Sequence, residues 1–234
     1  MHEEMILLEK DEKIPAKIIE WAELHSVPIE FCPDTPGTDG LNATVPDTEF
    51  RYDYVITYSS DITPEYLDIL YCHSHDLSAV IGASERIIIR EIAPEDLDSY
   101  KELIELFPDA VSDNTLSGLS KEEFRQRHLA YIKYSYHFLG YGIYGIFLRK
   151  SGKMIGIAGV DGTDRPALSY ALFNEHQGKG YAYDACRIIL DHMEKYHSMA
   201  HIDINVKKNN TASLNLAKKL GDAFPGLIRL NIIE

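Results

Sequence analysis

The sequence predicts an α/β protein in which a small α/β unit precedes a mixed, mostly antiparallel, twisted sheet flanked by helices. Short apolar runs with the period of strands alternate with longer segments whose apolar residues recur at helical spacing. In residues 141–172, three strand-like runs follow one another with only short turns between them, which predicts antiparallel neighbours. With 234 residues, 45% of them hydrophobic, the chain can bury a substantial core.

Residues 1–83 are predicted to form the first unit, whose role the sequence does not indicate. Its strands are expected in "MILLEK", "VPIEFC" and "YDYVITY", with a loop rich in Pro, Gly, Asp and Thr before the last. Apolar residues at helical spacing predict a helix over residues 14–25. A second helix in "TPEYLDILYCH" begins with Thr63 as N-cap and Pro64 at its first position.

Residues 84–234 are predicted to form the second unit. "RIIIREI" is a strand, and "PEDLDSYKELIELF" is a helix that opens with proline and acidic residues. A second helix spans "LSKEEFRQRHLAYIKYSYHFLG", because Ser120 and Glu123 have the spacing of a capping box. Three strands follow in "YGIYGIFLRK", "KMIGIAGVDG" and "ALSYALF".

The rest of the second unit alternates helices with strands. A helix begins near Tyr181. The residues expected on its inner face are Ala182, Ala185, Ile189, Met193 and Tyr196. After a strand in "HIDINV", a helix in "NTASLNLAKKLG" is capped by Asn210 and ended by Gly221, and "LIRLNII" is the last strand.

Composition narrows the classes of function. The formal net charge of −14 argues against nucleic-acid binding, which depends on lysine and arginine. The same charge suits a cationic partner, although solubility alone also explains it. No apolar run approaches the ~20 residues of a membrane helix, and the acidic start is unlike a secretory signal. With only three cysteines, these features predict a cytoplasmic protein without a disulfide framework.

The stretch "FNEHQGKGYAYD" places Gly178 and Gly180 directly before an amphipathic helix. Glycine lets the backbone approach a ligand, and a helix start offers unpaired N–H groups and the positive end of its dipole. The arrangement is typical of a pyrophosphate site, to which Lys179 can add charge, and an ordinary strand-to-helix turn is the alternative. The P-loop motif does not fit, because no hydroxyl residue follows Lys179. "GYGIYG" matches the dinucleotide-binding letters but precedes a strand instead of a helix.

Residues 86–233 resemble the GNAT acyl-CoA N-acyltransferase superfamily, and within it the ribosomal-protein and polyamine acetyltransferase branch. "QGKGYA" fits that family's Q/R-x-x-G-x-G/A signature, and "NNTASLNLAKKLG" fits its later N-x-x-S-x-x-L-x-x-K-x-G element. The two motifs lie in matching strand–loop–helix–strand–helix order. The leading segment is similar to an α/β unit, like a reduced hydrolase fold, that precedes this domain in some bacterial members. Asp11 and Asp61 are its candidate acids, and no chemistry is predicted for either.

The resemblance implies acetyl-CoA as co-substrate and no metal. In the family, the strand before the glycine loop pairs its backbone with the pantetheine arm, and the loop amides bind the pyrophosphate. The cofactor-binding residues implied here are Tyr170, Ala171, Leu172, Gln177, Gly178, Lys179, Gly180, Tyr181, Ala182, Tyr183, Asn210 and Ser213. Asn210 is implied to bond the pantetheine arm, and it also fits a plain helix cap.

The implied reaction is direct attack of an amine on the acetyl thioester, whose carbonyl the backbone N–H of Leu172 would polarise. Two familiar proton-handling residues of the family are missing. Ala167 stands where many members have a glutamate, and Ala217 where many have a tyrosine. Asp161 and Tyr170 are the replacement candidates, with a turn-forming aspartate and a packed aromatic as the alternative interpretations.

The acceptor is expected to be a cationic primary amine, either a protein N-terminus or a small molecule. The family's acceptor cleft lies beside "YIKYSYHFLGYGIYG", which holds five tyrosines, Tyr131 to Tyr144. A lysine amine of pKa ~10.4 needs about three units of deprotonation near neutrality and an α-amine of pKa ~8 only about one, which favours an α-amine. A catalytically silent acyl-CoA-binding or regulatory module is the alternative, and a nucleotide-binding protein is a third. The oligomeric state stays open, a homodimer included.

Three further positions carry expectations. His176, beside the loop, is expected to meet phosphate. Asp222 stands where the family usually has phenylalanine, and Phe224 is expected to fill that pocket. "CHSHD", with Cys72, His73, His75 and Asp76, is a single short cluster without a second pair of ligands, so no metal site is predicted.

Overall fold

The computed structural model of the chain separates into two compact units, residues 1–77 and 78–234. The ranges it describes are residues 6–8, 16–31, 54–56, 63–111, 113–197 and 199–233. Asp11 and Asp61 lie outside the described residues.

The first unit contains a three-stranded parallel sheet and two helices. Strands β1 (Ile6–Leu8), β2 (Ile29–Phe31) and β3 (Tyr54–Ile56) lie in the order β2-β1-β3. The helices are α1 (Ala16–His25) and α2 (Pro64–Ser74). Ile18 and Leu67, both fully buried, belong to the small core that these helices share. Thr63 caps α2 as predicted, by accepting the backbone N–H of Tyr66 at 3.3 Å.

A seven-stranded sheet organises the second unit. Its strands are β4 (Val80–Ala83), β5 (Ile87–Arg90), β6 (Ile143–Leu148), β7 (Met154–Asp161), β8 (Ala167–Leu172), β9 (Ile202–Lys207) and β10 (Ile228–Ile233). They lie side by side in the order β10-β9-β8-β7-β6-β5-β4. The pairs from β4 to β8 are antiparallel, whereas β8, β9 and β10 are parallel neighbours. The predicted mixed, mostly antiparallel sheet is therefore confirmed.

Helices cover both faces of this sheet. They are α3 (Leu97–Leu106), α4 (Lys121–Tyr131), α5 (Tyr181–Tyr196) and α6 (Thr211–Ala223). The larger core cluster joins the sheet to α5 and α6 through residues such as Ile189 and Leu220, while the second joins it to α3 and α4 through Leu103 and Phe124. No helix in the described part of the chain has both the length and the apolar composition of a membrane span.

Strand β4 was not predicted, and it moves the unit boundary. The sequence placed the division between residues 83 and 84, whereas the structure divides the chain between Leu77 and Ser78. Residues 80–83 go with the second unit because they pair antiparallel with β5. The Glu91 carboxylate also accepts the backbone N–H of Ala79 at 3.0 Å. This four-residue edge strand was missed because its pairing with β5 defines it, and a pattern within residues 80–83 carries no information about that pairing.

Two helix ends differ from the prediction. The Ser120–Glu123 capping box is present, but α4 ends at Tyr131 and continues as a π-helix, Ile132–Leu139. Gly221 does not end α6, which runs to Ala223 because buried Leu220 and Phe224 keep the last turn packed on the core. The Phe224 N–H accordingly donates to the Leu220 carbonyl at 2.9 Å.

The inner face of α5 is largely as predicted. Ala185, Ile189 and Met193 are fully buried, whereas Ala182 and Tyr196 are half-buried at its two ends. The buried residues that the prediction missed are Cys186, Leu190 and His192. His192 is buried although it is polar, because the core extends around this part of α5.

Candidate active site

Strand β8 has an edge that separates from its neighbour. The register between β8 and β9 pairs Ala167 with Asp203, and the Asp203 N–H donates to the Pro166 carbonyl at 2.8 Å. Beyond that point, β8 is in register with β7 alone among the described strands. The Asp203 side chain, 8% exposed, receives two hydrogen bonds from Arg229, which hold the pKa of its carboxyl below the usual range. This ion pair joins β9 to β10 beside the point where the gap between β8 and β9 closes.

The open edge presents backbone groups of β8 to the gap. The N–H of Phe173 donates to the Ile155 carbonyl at 3.0 Å, so this residue faces β7. Because hydrogen bonding alternates along an antiparallel pair, Ala171 also faces β7, while Tyr170 and Leu172 face the gap. An unpaired strand edge of this kind accepts an extended ligand that carries amide groups.

The glycine loop directly follows this edge. Gln177 donates its side-chain amide to the Leu172 carbonyl at 2.9 Å and to the Asn174 side chain at 3.2 Å. Lys179 donates its ammonium to the Glu175 carbonyl at 2.6 Å. Both side chains thus already donate hydrogen bonds to other groups of the chain, so we expect residues 177–180 to contact a ligand mainly through their backbone N–H groups. Lys179 was expected to add positive charge to the site, but its amine is already hydrogen-bonded to the Glu175 carbonyl.

The start of α5 has the geometry of an anion site. Gly178 and Gly180 have φ values of 71° and 82°, in the left-handed region where glycine alone is unstrained. Gly180 is the N-cap and supplies no side chain to satisfy the first-turn N–H groups. A Cβ at Gly178 would meet no atom within 4 Å, so the space beside the loop is open. These features fit a pyrophosphate, which the helix dipole also favours.

Tyr170 connects the edge of β8 to α6. Its hydroxyl donates to the Ser213 carbonyl at 3.4 Å, and burial raises its pKa to about 12. Asn210 caps α6 by accepting the Ser213 N–H at 3.0 Å. The structure therefore brings Tyr170, Ser213 and Asn210 together, and the helix-cap interpretation of Asn210 holds. Ala217 and Phe224, 1% and 5% exposed, lie in the core beneath this helix.

A cavity of about 60 Å³ lies on the opposite face, between α3, α4 and the ends of β6 and β7. Its lining residues are Tyr100, Val111, Asp113, Leu116, Phe124, Arg127, His128, Tyr131, Ile143 and Asp161. Asp161 accepts the N–H of Gly162 at 2.9 Å, as a turn-forming aspartate does. It stands directly opposite Ala167 in the β7–β8 register, so both point to the same face.

Tyrosines surround Asp161. Burial raises the pKa of Tyr131 and of Tyr100, and the nearby Asp161 charge adds to both shifts. The Tyr131 hydroxyl accepts the Ile143 N–H at 2.7 Å. His128, 4% exposed, lies 2.7 Å from the Ile92 carbonyl through Nε2, and burial lowers its pKa. The cavity is consequently lined by neutral rings, by the Asp161 carboxylate at the β8 side, and by the Arg127–Asp113 ion pair, whose charged groups are 3.0 Å apart.

The five tyrosines between residues 131 and 144 divide between core and surface. Tyr136 and Tyr144 are 1% exposed and stack with their ring centroids 5.5 Å apart. Tyr134 is 55% exposed and stacks on Phe138, itself 77% exposed. Tyr131 lines the cavity. Most of the segment is therefore structural, and Tyr131 is its contribution to the candidate acceptor side.

His176 has a buried Nε2 atom without a hydrogen-bond partner among the described residues. That atom lies 3.7 Å from the Glu175 carboxylate, and the ring centroid is 6.3 Å from that of Tyr181, at the helix start. In the first unit, the Nδ1 atom of His75 lies 2.8 Å from the Tyr71 carbonyl. No group of three or more potential metal ligands occurs among the described residues.

Comparison with known families decides the assignment. The model of the acetyltransferase (GNAT) domain matches residues 86–222, more than half of the chain. The chain belongs to the GNAT acetyltransferase family. The match covers the two motifs on which the prediction was based. It confirms the predicted family and the predicted acetyltransferase class.

Relatives of this GNAT chain are distant. An uncharacterized N-acetyltransferase p20 of Bacillus licheniformis is 28% identical over 90 residues, 37% of this chain. The chain spans about half, 51%, of that protein. The apo structure of RimL, a ribosomal L7/L12 α-N-protein acetyltransferase, has a TM-score of 0.50 at 18% identity and covers 61% of this chain and 80% of its own. RimL in complex with coenzyme A gives 0.50 at 19% identity, with 60% and 81% covered. At these identities the solved structures show the fold.

One residue of this GNAT site was missed by the sequence prediction. Arg86 donates to the Lys179 carbonyl at 2.8 Å and to the Asp184 carboxylate at 2.6 and 3.0 Å. It lies ahead of β5, 98 positions from Asp184, and no local motif marks it. The β5 strand reaches the loop only in the folded sheet.

Proposed function

We propose that this chain is an N-acetyltransferase that transfers the acetyl group of acetyl-CoA to a primary amine. The observation that carries the proposal is the open edge of β8, which ends in the glycine loop at the start of α5. A strand edge for amides and a helix start for a pyrophosphate, in direct succession, suit a ligand that has both groups. Membership in the GNAT family supports the same chemistry.

The proposed contacts follow from this order. The loop amides from Gly178 to Tyr183 bind the pyrophosphate, and the edge groups of Tyr170 and Leu172 pair with the pantetheine arm. Asn210 keeps its amide N–H₂ group for that arm, because its oxygen serves as the helix cap. Acetyl-CoA then supplies the activated acetyl group.

The oxyanion donor is assigned by length. An arm with two amide units spans about four residues of extended chain, roughly 13 Å at 3.3 Å per residue. Measured back along β8 from Leu172, this places the thioester near the closed end of the gap. The N–H of Leu172, the donor predicted from the resemblance, is at the loop end, and that of Tyr170 is closer to the thioester. Both face the gap, and the length favours Tyr170.

Proton transfer is proposed to use Asp161. The cationic amine first loses a proton to the Asp161 carboxylate, directly or through water, and the neutral nitrogen then attacks the thioester carbon. The carbon–sulfur bond breaks, and the second proton of the nitrogen passes through solvent to the departing thiolate, which leaves as coenzyme A. Asp161 lies on the strand next to β8, directly opposite Ala167, whose side chain is a single methyl group. Tyr170 is a poor acid for the departing thiolate, because its pKa of about 12 lies above the ~8.5 of a thiol. Its side chain is therefore proposed to keep its structural role, the hydrogen bond from its hydroxyl to the Ser213 carbonyl.

The acceptor is proposed to present a small cationic amino group. A cavity of about 60 Å³ holds on the order of four water-sized groups at ~10–15 Å³ each, enough for an amine and a few carbons. The rings and the Asp161 carboxylate suit a cation, because the charge of Arg127 in the lining is compensated by Asp113 at 3.0 Å. An α-amine at a protein N-terminus fits these limits and needs less deprotonation than lysine. A clear preference for lysine-only peptides over N-terminal peptides would contradict this choice of acceptor.

The experiment that tests the function is calorimetric titration of acetyl-CoA into the full chain and into Gly180→Glu. The added carboxylate should abolish micromolar binding by repelling the pyrophosphate. Gly226→Glu is the control for a carboxylate added at a glycine of positive φ, since Gly226 has φ 89° and a Cβ there would meet no atom within 4 Å. Loss of binding in Gly180→Glu alone supports the site, and no binding by the intact chain refutes the proposal. Binding without turnover on an amine panel would identify the silent acyl-CoA-binding module instead.

A further inference from the structure

We infer that Arg86 is the residue that positions the pyrophosphate loop and cancels the charge of Asp184 there. The inference rests on the proposed function. Nη1 of Arg86 donates to the Lys179 carbonyl at 2.8 Å, while Nε and Nη2 donate to one oxygen of Asp184 at 3.0 and 2.6 Å. One planar guanidinium thereby joins the loop to the first turn of α5.

The same group contacts both sides of the helix start. The Arg86 guanidinium carbon lies 4.9 Å from the centroid of the Tyr181 ring. Its Nη2 would be 3.2 Å from a Cβ built on Gly180. One side chain thus contacts residues 179, 181 and 184, and the Lys179 carbonyl is occupied by its hydrogen bond from Arg86.

Arg86 acts from an anchored position outside the loop. Its N–H donates to the Ser84 hydroxyl at 3.2 Å, and its carbonyl accepts the Arg149 N–H at 3.0 Å. The loop is therefore positioned against the β5 end of the sheet. Without this contact, the hydrogen bond from Gln177 to the Leu172 carbonyl of β8 and the bonds within the loop would have to hold the positive-φ turns at Gly178 and Gly180.

Electrostatics gives Arg86 a second effect. Asp184 lies in the first turn of α5, where the negative pyrophosphate is proposed to bind. A free carboxylate there would repel the ligand, whereas two hydrogen bonds from a guanidinium compensate its charge. The Lys179 amine, bonded to the Glu175 carbonyl, lies elsewhere in the loop.

The contribution of this pair to folding is expected to be small. The Arg86 and Asp184 side chains are 45% and 25% exposed, and exposed ion pairs add little to stability. Removal of Arg86 should therefore leave a folded chain in which the effect on the ligand can be measured.

The test compares two ligands on the full chain. Coenzyme A carries the pyrophosphate, and S-acetylpantetheine lacks it. Arg86→Ala should raise the Kd for coenzyme A at least tenfold, by calorimetry, and that for S-acetylpantetheine less than twofold, by NMR titration. Arg125→Ala is the control, because Arg125 is an exposed arginine of α4, away from the glycine loop and from the anchors of Arg86. It should change neither Kd by more than twofold.

Combination with Asp184→Asn separates the two effects. If Arg86 cancels the charge, Arg86→Ala with Asp184→Asn recovers part of the lost affinity, and the remainder measures loop position. Equal loss for both ligands, or no loss for either, would overturn the inference while leaving the proposed function intact. A wild-type chain that does not bind coenzyme A would overturn both. Should Arg86→Ala not fold, Arg86→Lys, which keeps charge but not the fork of donors, gives the same comparison.

Discussion

His192 is expected to remain neutral far below the pH at which histidine usually charges. It lies on the core side of α5, 6% exposed, with its ring centroid 4.9 Å from that of Tyr196 and 5.6 Å from that of His197. Burial lowers its pKa from 6.5 to about 4, and the positive charges of His197 and Lys195 contribute. The folded chain therefore binds fewer protons at this site than the unfolded chain between about pH 6.5 and pH 4.

The magnitude follows from this difference in pKa. Stability from a neutral His192 is fully present above about pH 6.5 and is lost as the pH falls toward about 4. The loss is about 1.36 kcal/mol per pH unit, or about 2 kcal/mol at pH 5. For a domain of this size, about 2 kcal/mol lowers the melting temperature by roughly 4–8 °C.

Two measurements check this prediction. NMR titration of the histidine ring protons should give a resonance that is absent in His192→Gln and titrates near pH 4. The melting temperature should fall less steeply between pH 7 and pH 5 in His192→Gln than in the wild type. A His192 resonance that titrates near pH 6.5, or parallel slopes for wild type and His192→Gln, would refute the reasoning.

Three other predictions concern the site and its frame. Asp161→Asn should lower kcat by roughly 10²–10⁴-fold without changing the Kd of acetyl-CoA. Adding Ala167→Glu should restore part of the rate, because it returns a carboxylate to the same face of the sheet. An unchanged kcat in Asp161→Asn would show that Asp161 takes no part in proton transfer. Gly221→Ala should raise the free energy of unfolding by about 0.5–1 kcal/mol in urea denaturation, since this glycine lies inside α6 with open space around it; a loss of stability would contradict this. Gly159→Ala should destabilise by about 1–3 kcal/mol or more in the same assay, because its Cβ would lie 2.1 Å from the Gly142 carbonyl oxygen, on backbone that has little room to move.

Local features of the chain were predicted correctly where a few neighbouring residues decide them. The caps at Thr63, Ser120 and Asn210 each depend on a side chain and an N–H three positions later. The glycine loop before α5 follows from two residues that tolerate positive φ, next to a helical pattern. Because these interactions join residues within one turn, the local sequence is enough to predict them.

Features that depend on distant partners were missed or misplaced. Strand β4 exists through its pairing with β5, and α6 passes Gly221 because Phe224 is buried against the core. The change to a π-helix after Tyr131 coincides with tyrosines that reach across to β6, among them Tyr131 itself through the Ile143 N–H. In each case, packing outweighs the local preference.

By itself, the sequence determined the family, the mixed sheet, the glycine loop and the absence of the two familiar proton-handling residues. The tertiary structure alone decided where β8 leaves β9, that Asp161 stands opposite Ala167, and that Arg86 reaches Lys179 and Asp184. The physical reason is the range of the interactions. Caps and turns form between residues a few positions apart, whereas strand register and the contacts of a guanidinium join residues that only the folded sheet brings together.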